Sequence, residues 1–143
     1  MSVPGLIRRL CALFYDALLW MGVMFLLFLL PQMLIGFLLQ KALPPLWLLV
    51  HLVAATLGYF VYFWTQGGQT LAMRSWRIRL LAVDNQDTPP DVRRAALRFL
   101  LAWMGYALCG VSVWWALFDR DRQFLHDRLS GTRLVLLPKA HAK

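Results

Sequence analysis

Asp16 is the residue whose type and position most strongly suggest chemistry. It is the one charged side chain in an apolar run, residues 10–30. An aspartate inside a spanning helix costs about 2.5–3.5 kcal/mol on insertion scales, and such groups usually face the bundle interior and mark ion or proton paths. Arg9 lies seven residues earlier, so both side chains fall on one helix face, roughly 10.5 Å apart along the axis. The pattern indicates an ion or proton site or, equally, a buried polar network that fixes the bundle.

His51 and Tyr59 are polar residues of a second apolar run. In an antiparallel helical hairpin, a rise of about 1.5 Å per residue puts Asp16 level with residues 57–62. Thr56 and Tyr59 can donate hydrogen bonds there, and a relay from His51 through them is geometrically feasible. The alternative for His51, which the sequence favours, is a lone imidazole with a satisfied hydrogen bond on a helix face.

A charge-dense segment, residues 119–128, contains two further candidates, His126 and Asp127. By itself the segment is typical of a juxtamembrane helix that binds lipid phosphates. His126 and Asp127 are adjacent and therefore point to different faces of a helix. The chain has no nucleophile elbow, no HExxH pattern, no nucleotide-binding glycine motif and no metal-ligand spacing. We therefore expect a protein that is not an enzyme and that holds no cofactor or metal.

The composition indicates what kind of protein positions these residues. The chain has 143 residues, of which 60% are apolar and 15% are charged. These shares argue against a soluble globular domain and against disorder, and they fit a small multi-span membrane protein. The net charge of +8 comes from arginines beside apolar runs, which indicates contacts with anionic lipid head groups rather than nucleic acid. Cys11 and Cys109 lack redox or zinc spacing and are expected to be buried thiols.

The first two apolar runs are predicted to cross the membrane. Residues 10–30 are longer than the apolar region of a signal peptide and are predicted to be a retained transmembrane helix. Either this helix extends to about Leu39 in a tilted orientation, or residues 32–43 lie in the interface. Residues 46–64 form the second predicted span.

The third apolar run, residues 99–118, has two interpretations. It is either a full span or a re-entrant hairpin broken at Gly105 and Gly110. The helix that leads into it is predicted to begin with Thr88 as its N-cap and Pro89 as its first helical residue.

The distribution of Lys and Arg predicts the orientation. Two precede the first run, one lies between the first two runs, six lie between the second and third, and six follow residue 118. Positive charges favour the cytoplasmic side, so the N-terminus and both segments with six are predicted to be inside. A re-entrant third segment reconciles these positions. Two strand-like segments, residues 77–83 and 132–137, then pair on the cytoplasmic face.

Three motifs in this order resemble the RDD family of bacterial membrane proteins. They are Arg9 with Asp16, the sequence GQTL at residues 68–71, and WALFD followed by RQ, HDRL and GT within residues 115–132. By motif position, the arginine and the two aspartates that name the family fall on Arg9, Asp16 and Asp127. The chain departs from the family after GQTL, where members often have GKR and this chain has AMR.

The resemblance implies a fold and a location. It covers about residues 6–137 as a single membrane domain, followed by a tail at residues 138–143. The expected fold is an all-α membrane protein with two transmembrane helices, a third apolar segment, and a short amphipathic or strand-like cytoplasmic layer. The expected location is the bacterial inner membrane, with several crossings and a cytoplasmic N-terminus.

Two functions remain in competition. Some RDD proteins have been linked to sodium–proton exchange, which implies cation–proton transport with Asp16 as the site and His51, Tyr59 and His126 as supporting groups. Two or three spans do not easily enclose a path, so this function requires a homo-oligomer. The alternative is a non-catalytic partner that stabilises another membrane complex, with the three family residues as a structural cluster. An enzyme acting on lipid ranks last, because the sequence contains no nucleophile or metal set.

Overall fold

A computed structural model describes residues 3–84, 88–108, 110–119 and 123–138 of the chain. The prediction for Cys109 lies outside these residues. The helices are α1 Leu6–Met24, α2 Leu30–Leu39, α3 Pro45–Gln66, α4 Leu71–Ser75, α5 Val92–Ala107, α6 Val111–Phe118 and α7 Leu125–Leu129, and the strands are β1 Ile78–Ala82 and β2 Thr132–Leu136.

The first predicted span is a long helix with one irregular turn. A π-helical turn, Phe25–Leu29, joins α1 to α2, and Pro31 lies in the first turn of α2. Proline lacks a backbone N–H and its ring crowds the preceding turn, and a π-helical turn is one way that a helix accommodates such a break. The helix therefore extends to Leu39, which was one of the two predicted alternatives. Its 34 residues span about 51 Å at 1.5 Å each, more than the roughly 30 Å hydrocarbon core.

The second span, α3, packs antiparallel to the first. Pro44 and Pro45 start it, because proline is preorganised for the first helical turn. Among the described residues, the two helical stretches long and apolar enough to cross a membrane are Leu6–Leu39 and Pro45–Ser75, the second of which contains α3 and α4. Large apolar side chains along both helices point outward and are exposed. Outward apolar surfaces of this extent suit a lipid environment.

The third apolar run is a helical hairpin, not one continuous helix. It is divided between α5 and α6, and Gly110 at the turn has a left-handed φ of 75°. A Cβ built on Gly105 would lie 2.5 Å from the Cβ of Ser112, so Gly105 allows α6 to fold back against α5. The break predicted at Gly110 is present, whereas Gly105 stays inside α5 and serves close packing.

The predicted start of α5, the first helix of this hairpin, is wrong. Asp91, not Thr88, is the N-cap of α5, and its side chain accepts a hydrogen bond from the backbone N–H of Arg94. Residues that precede a proline disfavour helical backbone angles. Because both Thr88 and Pro89 precede prolines, the helix begins only after Pro90.

β1 and β2 form a two-stranded antiparallel sheet in which Leu80 faces Leu134. The segments predicted to be strands therefore pair. Ile78, Leu80 and Leu134 join a core with Ala12 of α1 and Trp64 of α3, among others. The sheet thus ties the C-terminal end of the domain to the segment that follows the second span, beside the start of the first.

Candidate functional site

A cavity of about 410 Å³ lies between α1, α3 and α5. Its base is formed by Phe124, α7 and the two strands. The charged and imidazole side chains on its wall are Arg9, Asp16, Arg98 and His126. Its aromatic side chains are Phe14, Trp20, Phe60, Trp64, Phe99, Trp103, Tyr106 and Phe124. The cavity therefore combines an apolar, aromatic wall with a few ionisable groups, as small-molecule sites commonly do.

Asp16 is buried on this wall, with 7% of its surface exposed. Its Oδ2 accepts a hydrogen bond of 2.7 Å from the hydroxyl of Thr70. Its Oδ1 is also buried and has no hydrogen-bond partner among the described residues. A neutral hydroxyl is thus the direct donor to this carboxyl group, which leaves one oxygen able to hold a proton or contact a ligand.

The GQTL motif builds the support for Asp16. Gly68 has a φ of 69°, and a Cβ there would lie 2.3 Å from the carbonyl oxygen of Leu80. The backbone N–H of Leu80 donates to the Gly68 carbonyl at 2.7 Å, and the Gln69 side chain donates to the Ile78 carbonyl at 2.8 Å. Thr70 follows as the N-cap of α4 and donates to Asp16. Sequence reasoning found the motif but not the role of Thr70.

The donor to Asp16 therefore differs from the one predicted. Thr56 and Phe60 line the same cavity, but the Thr56 hydroxyl donates to the carbonyl of Leu52 at 2.8 Å. The Tyr59 hydroxyl is buried without a hydrogen-bond partner in the described part of the chain. The relay from His51 to Asp16 is thus not formed. The reason is that α4 packs on α1 after the second span ends, which brings Thr70 to Asp16.

His51 lies apart from the cavity. Its Nδ1 contacts the side-chain amide of Gln32, and its ring packs edge-on against Phe28 with centroids 5.5 Å apart. It is not among the residues that line the cavity. The structure therefore agrees with the favoured interpretation of His51 as an imidazole in a local contact between two helices.

Asp127 forms a buried ion pair with Arg98. The Arg98 Nε donates to Asp127 Oδ1 at 2.7 Å, and both side chains are almost fully buried. The Arg98 guanidinium also lies 4.2 Å from the centre of the Trp64 ring. The residue in direct contact with the Asp127 carboxylate is thus Arg98. Arg98 was counted only as an orientation signal because it lies at the start of an apolar run.

His126 completes this network beside Asp127. Its Nδ1 is 2.5 Å from the hydroxyl oxygen of Ser112, which also accepts a bond from the His126 backbone N–H. Burial lowers the pKa of His126 to about 4, although the nearby charge of Asp127 acts in the opposite direction. The imidazole is therefore neutral at physiological pH and links α7 to the α5–α6 hairpin through Ser112.

Arg9 is buried on the same wall as Asp16, as the spacing of the two residues predicted. Its Nε donates to the carbonyl of Pro4 at 3.0 Å, and its guanidinium lies 5.7 Å from the centre of the Phe124 ring. The charges of Asp127 and Asp119 also act on it. The three residues that the resemblance assigns to the family motif thus gather at one end of the helical hairpin, around the cavity and its base.

Comparison with known proteins identifies the family of the chain. The sequence profile of the RDD family matches residues 3–131. The chain is also similar to the uncharacterized protein RP437 of Rickettsia prowazekii (strain Madrid E), with 28% identity over 78 residues. That alignment covers 54% of this chain and 42% of the relative, so the chain spans less than half of that protein. No solved structure matches the chain.

Proposed function

The chain belongs to the RDD family of membrane proteins, and we propose that it exchanges protons for cations across the bacterial inner membrane, with Asp16 as the exchanging group. The observation that carries this proposal is the state of the Asp16 carboxyl group. It is buried within a spanning helix, lines a cavity, and has a neutral hydroxyl as its direct donor. Ionisable groups in such positions mark ion and proton pathways.

The proposed orientation has the N-terminus, β1 and β2 in the cytoplasm. Pairing of the two strands requires that the tail lie on the same side as the segment after the second span. The α5–α6 hairpin returns the chain to that side, and exposed apolar residues such as Trp103, Trp114 and Phe118 suit a membrane-embedded, re-entrant segment. Both segments with six basic residues then face the cytoplasm and anionic head groups.

A reporter fused after Lys143 tests this orientation. A reporter that is active only in the cytoplasm is expected to function. Activity of a reporter that works only in the periplasm would show that the third apolar segment crosses the membrane completely.

Exchange by this protein requires more than one copy, because two spans do not enclose a path. Close contact between helices of two copies needs small residues on the outer faces. Gly22 and Gly58 meet this need, since a Cβ built on either has nothing within 4 Å. A strict monomer in a size measurement in mild detergent would contradict this part of the proposal.

Proton flux in liposomes tests the role of Asp16. Purified protein is reconstituted with a trapped pH-sensitive dye, a pH gradient is imposed, and sodium or another cation is added. The wild type is expected to exchange, and Asp16→Asn is expected to reduce the rate at least tenfold. Asp84→Asn is the matched control, because the Asp84 side chain is exposed at the surface. Wild-type flux equal to that of empty liposomes for every cation, with the protein correctly inserted, would refute the proposal.

A second function is favoured by the surroundings of Arg9 and Asp127. These two family residues contact groups within the domain, such as Pro4 and Arg98, and they hold its segments together. This arrangement suits a non-catalytic protein that stabilises another membrane complex. Well-inserted wild-type protein that exchanges no cation, yet is needed in cells for normal accumulation of another complex, would favour this role.

A further inference from the structure

We infer that the cation taken by the Asp16 site is an organic ammonium ion with apolar substituents, not a bare metal ion. This inference rests on the proposed exchange function and names its substrate class. It depends on three features of the cavity, which are its ligand atoms, its wall and its opening.

The ligand atoms do not suit a hard metal cation. Such cations are held by several oxygen ligands at once. Among the described residues on the cavity wall, Asp16 is the one carboxylate. The described part of the chain also contains no group of three or more His, Cys, Asp or Glu that could hold a metal ion. Asp16 has one oxygen free of described hydrogen bonds, in a cavity of about 410 Å³. This single carboxylate does not supply the several protein oxygen ligands that a small metal ion needs.

The wall suits an ammonium ion that carries apolar groups. Aromatic rings attract cations through their faces, and apolar side chains receive alkyl or aryl substituents. Trp20, Phe60 and Trp103 provide such rings on three different helices around Asp16. The carboxylate then supplies the negative charge opposite the ammonium ion. The rings supply cation–π and apolar contacts, which the water shell of a hydrated metal ion does not make.

The described charged groups around Asp16 do not form an ion pair with its carboxyl group. The charged and titratable groups that face it are Arg9 on its own helix, Tyr59 on α3, Arg98 and Tyr106 on α5, and His126 on α7. Arg98 is paired directly with Asp127, and Arg9 lies near Asp127 and Asp119. Asp16 itself forms no ion pair with a described residue. Its negative charge is therefore open to a ligand cation.

The opening of the cavity faces the apolar surface of the protein. Phe14 on α1 is 69% exposed and Trp103 on α5 is 51% exposed, and both line the cavity. The two helices flank the opening with side chains that are also exposed on the apolar surface of the protein. An amphiphilic cation dissolved in the membrane interface reaches Asp16 from there without crossing the protein.

Coupling to protons follows from the use of one carboxyl group for both ions. Protonated Asp16 releases its proton to water when the ammonium ion binds, and it takes up a proton when the ammonium ion leaves. The net charge of Asp16 and its ligand is then the same in both states. The exchange needs no reactant other than the proton and the ammonium ion.

Tetrapropylammonium is a suitable probe because it is a permanent cation and carries no proton itself. Purified full-length protein in a nonionic detergent is titrated with it in weak buffer, and the binding heat and the released protons are measured together. We expect binding at least tenfold tighter than that of sodium, with proton release. Asp16→Asn is expected to remove the proton release and to weaken binding at least tenfold, whereas Asp84→Asn leaves both unchanged.

Cavity-filling variants test the position of the ligand. Ala102 and Ala17 line the cavity, so Ala102→Phe and Ala17→Phe are each expected to weaken binding at least tenfold. Ala17 is exposed, so its substitution tests the site even where Ala102→Phe fails to fold. Leu100→Phe is the matched control on α5, because Leu100 is exposed and does not line the cavity.

The outcomes separate this inference from the proposed function. Sodium that binds as tightly as tetrapropylammonium and supports Asp16-dependent flux would overturn the inference and leave the exchange function intact. Binding that none of the cavity variants alters would also overturn it. Tetrapropylammonium binding that depends on Asp16 but occurs without proton release or flux would support the ammonium site and refute exchange.

Discussion

The two buried aspartates, Asp16 and Asp127, differ in the group that donates a hydrogen bond to each. Asp16 and Asp127 each have one carboxylate oxygen in a 2.7 Å hydrogen bond and a second oxygen without a described partner. The donor to Asp16 is a neutral hydroxyl, whereas the donor to Asp127 is a buried guanidinium. A buried carboxylate with a cation in contact is held in its charged form, and one without a cation can exchange its proton or bind another cation. Under the proposed function, this difference makes Asp16 the exchanging group and Asp127 a structural one.

The largest effect is expected from Arg98→Gln, which leaves Asp127 buried without its cation. Removing one partner of a buried ion pair typically costs about 3–5 kcal/mol. The variant should show a clearly lower denaturation midpoint in detergent and lower accumulation in membranes. Arg94→Gln, four residues earlier in α5, removes only exposed ion pairs with Asp84 and Asp91. Exposed pairs contribute little to stability, so the midpoint of this variant should stay close to that of the wild type. Equal midpoints for the two variants would contradict the structural role of Asp127.

The network at Asp127 also predicts a pH dependence of stability. The pKa of His126 is lowered from 6.5 to about 4 in the folded protein, so the unfolded chain binds more protons between these values. Stability is therefore full above pH 6.5 and falls as the pH decreases toward 4, by about 3 kcal/mol in total. Denaturation midpoints measured across this range check the sign. His126→Gln should flatten the dependence, and an unchanged slope in that variant would assign it to other groups.

Gly68→Ala tests the loop that brings Thr70 to Asp16. The left-handed backbone at Gly68 and the close approach of the Leu80 carbonyl should make an alanine there cost about 2 kcal/mol. Gly67→Ala is the matched control, because a Cβ on Gly67 has nothing within 4 Å. We expect Gly68→Ala to lower both the denaturation midpoint and the flux. If both alanine variants behave alike, the loop does not position Asp16.

The smallest effect on stability is expected from removing the hydroxyl that donates to Asp16. Thr70→Val removes the hydrogen bond to Asp16 and the N-cap of α4, which should cost about 1 kcal/mol. Flux should nevertheless change several-fold, because the Asp16 carboxyl group loses its donor. Thr65→Val, which removes a bond to the Val61 carbonyl within α3, is the control. A stability loss as large as that of Arg98→Gln would make the two aspartates alike and break the comparison.

The sequence was sufficient for the local elements. The apolar runs predicted the two helices that are long and apolar enough to cross a membrane, because about 20 apolar residues satisfy a bilayer without reference to the rest of the chain. The pairing of the two strand-like segments was also anticipated, and the break at Gly110 was one of the stated alternatives. The start of α5 was placed too early, because the effect of two consecutive prolines on the residues before them was not considered.

In the candidate site, the sequence identified the ionisable residues but not the residues that contact them. Arg9 and Asp16 were found from their types and spacing, since a charged residue inside an apolar run is unusual wherever it occurs. Asp127 was assigned from the motifs that resemble the RDD family, and His126 lies beside it in the same segment. Their partners were not found. Thr70 lies 54 residues from Asp16, Arg98 lies 29 residues from Asp127, and Ser112 lies 14 residues from His126. Thr, Arg and Ser are common residue types, and no local pattern marks the one that packs against a given carboxylate or imidazole.

The sequence alone therefore determined that this is a membrane protein of the RDD family with ionisable residues near the ends of apolar segments. Those conclusions depend on composition and local spacing, which the chain carries in any conformation. Only the tertiary structure decided that Asp127 has an arginine partner, that Asp16 has a hydroxyl partner, and that Asp16 lines an aromatic cavity. These facts depend on contacts between helices far apart in the chain, and packing of the whole domain selects them.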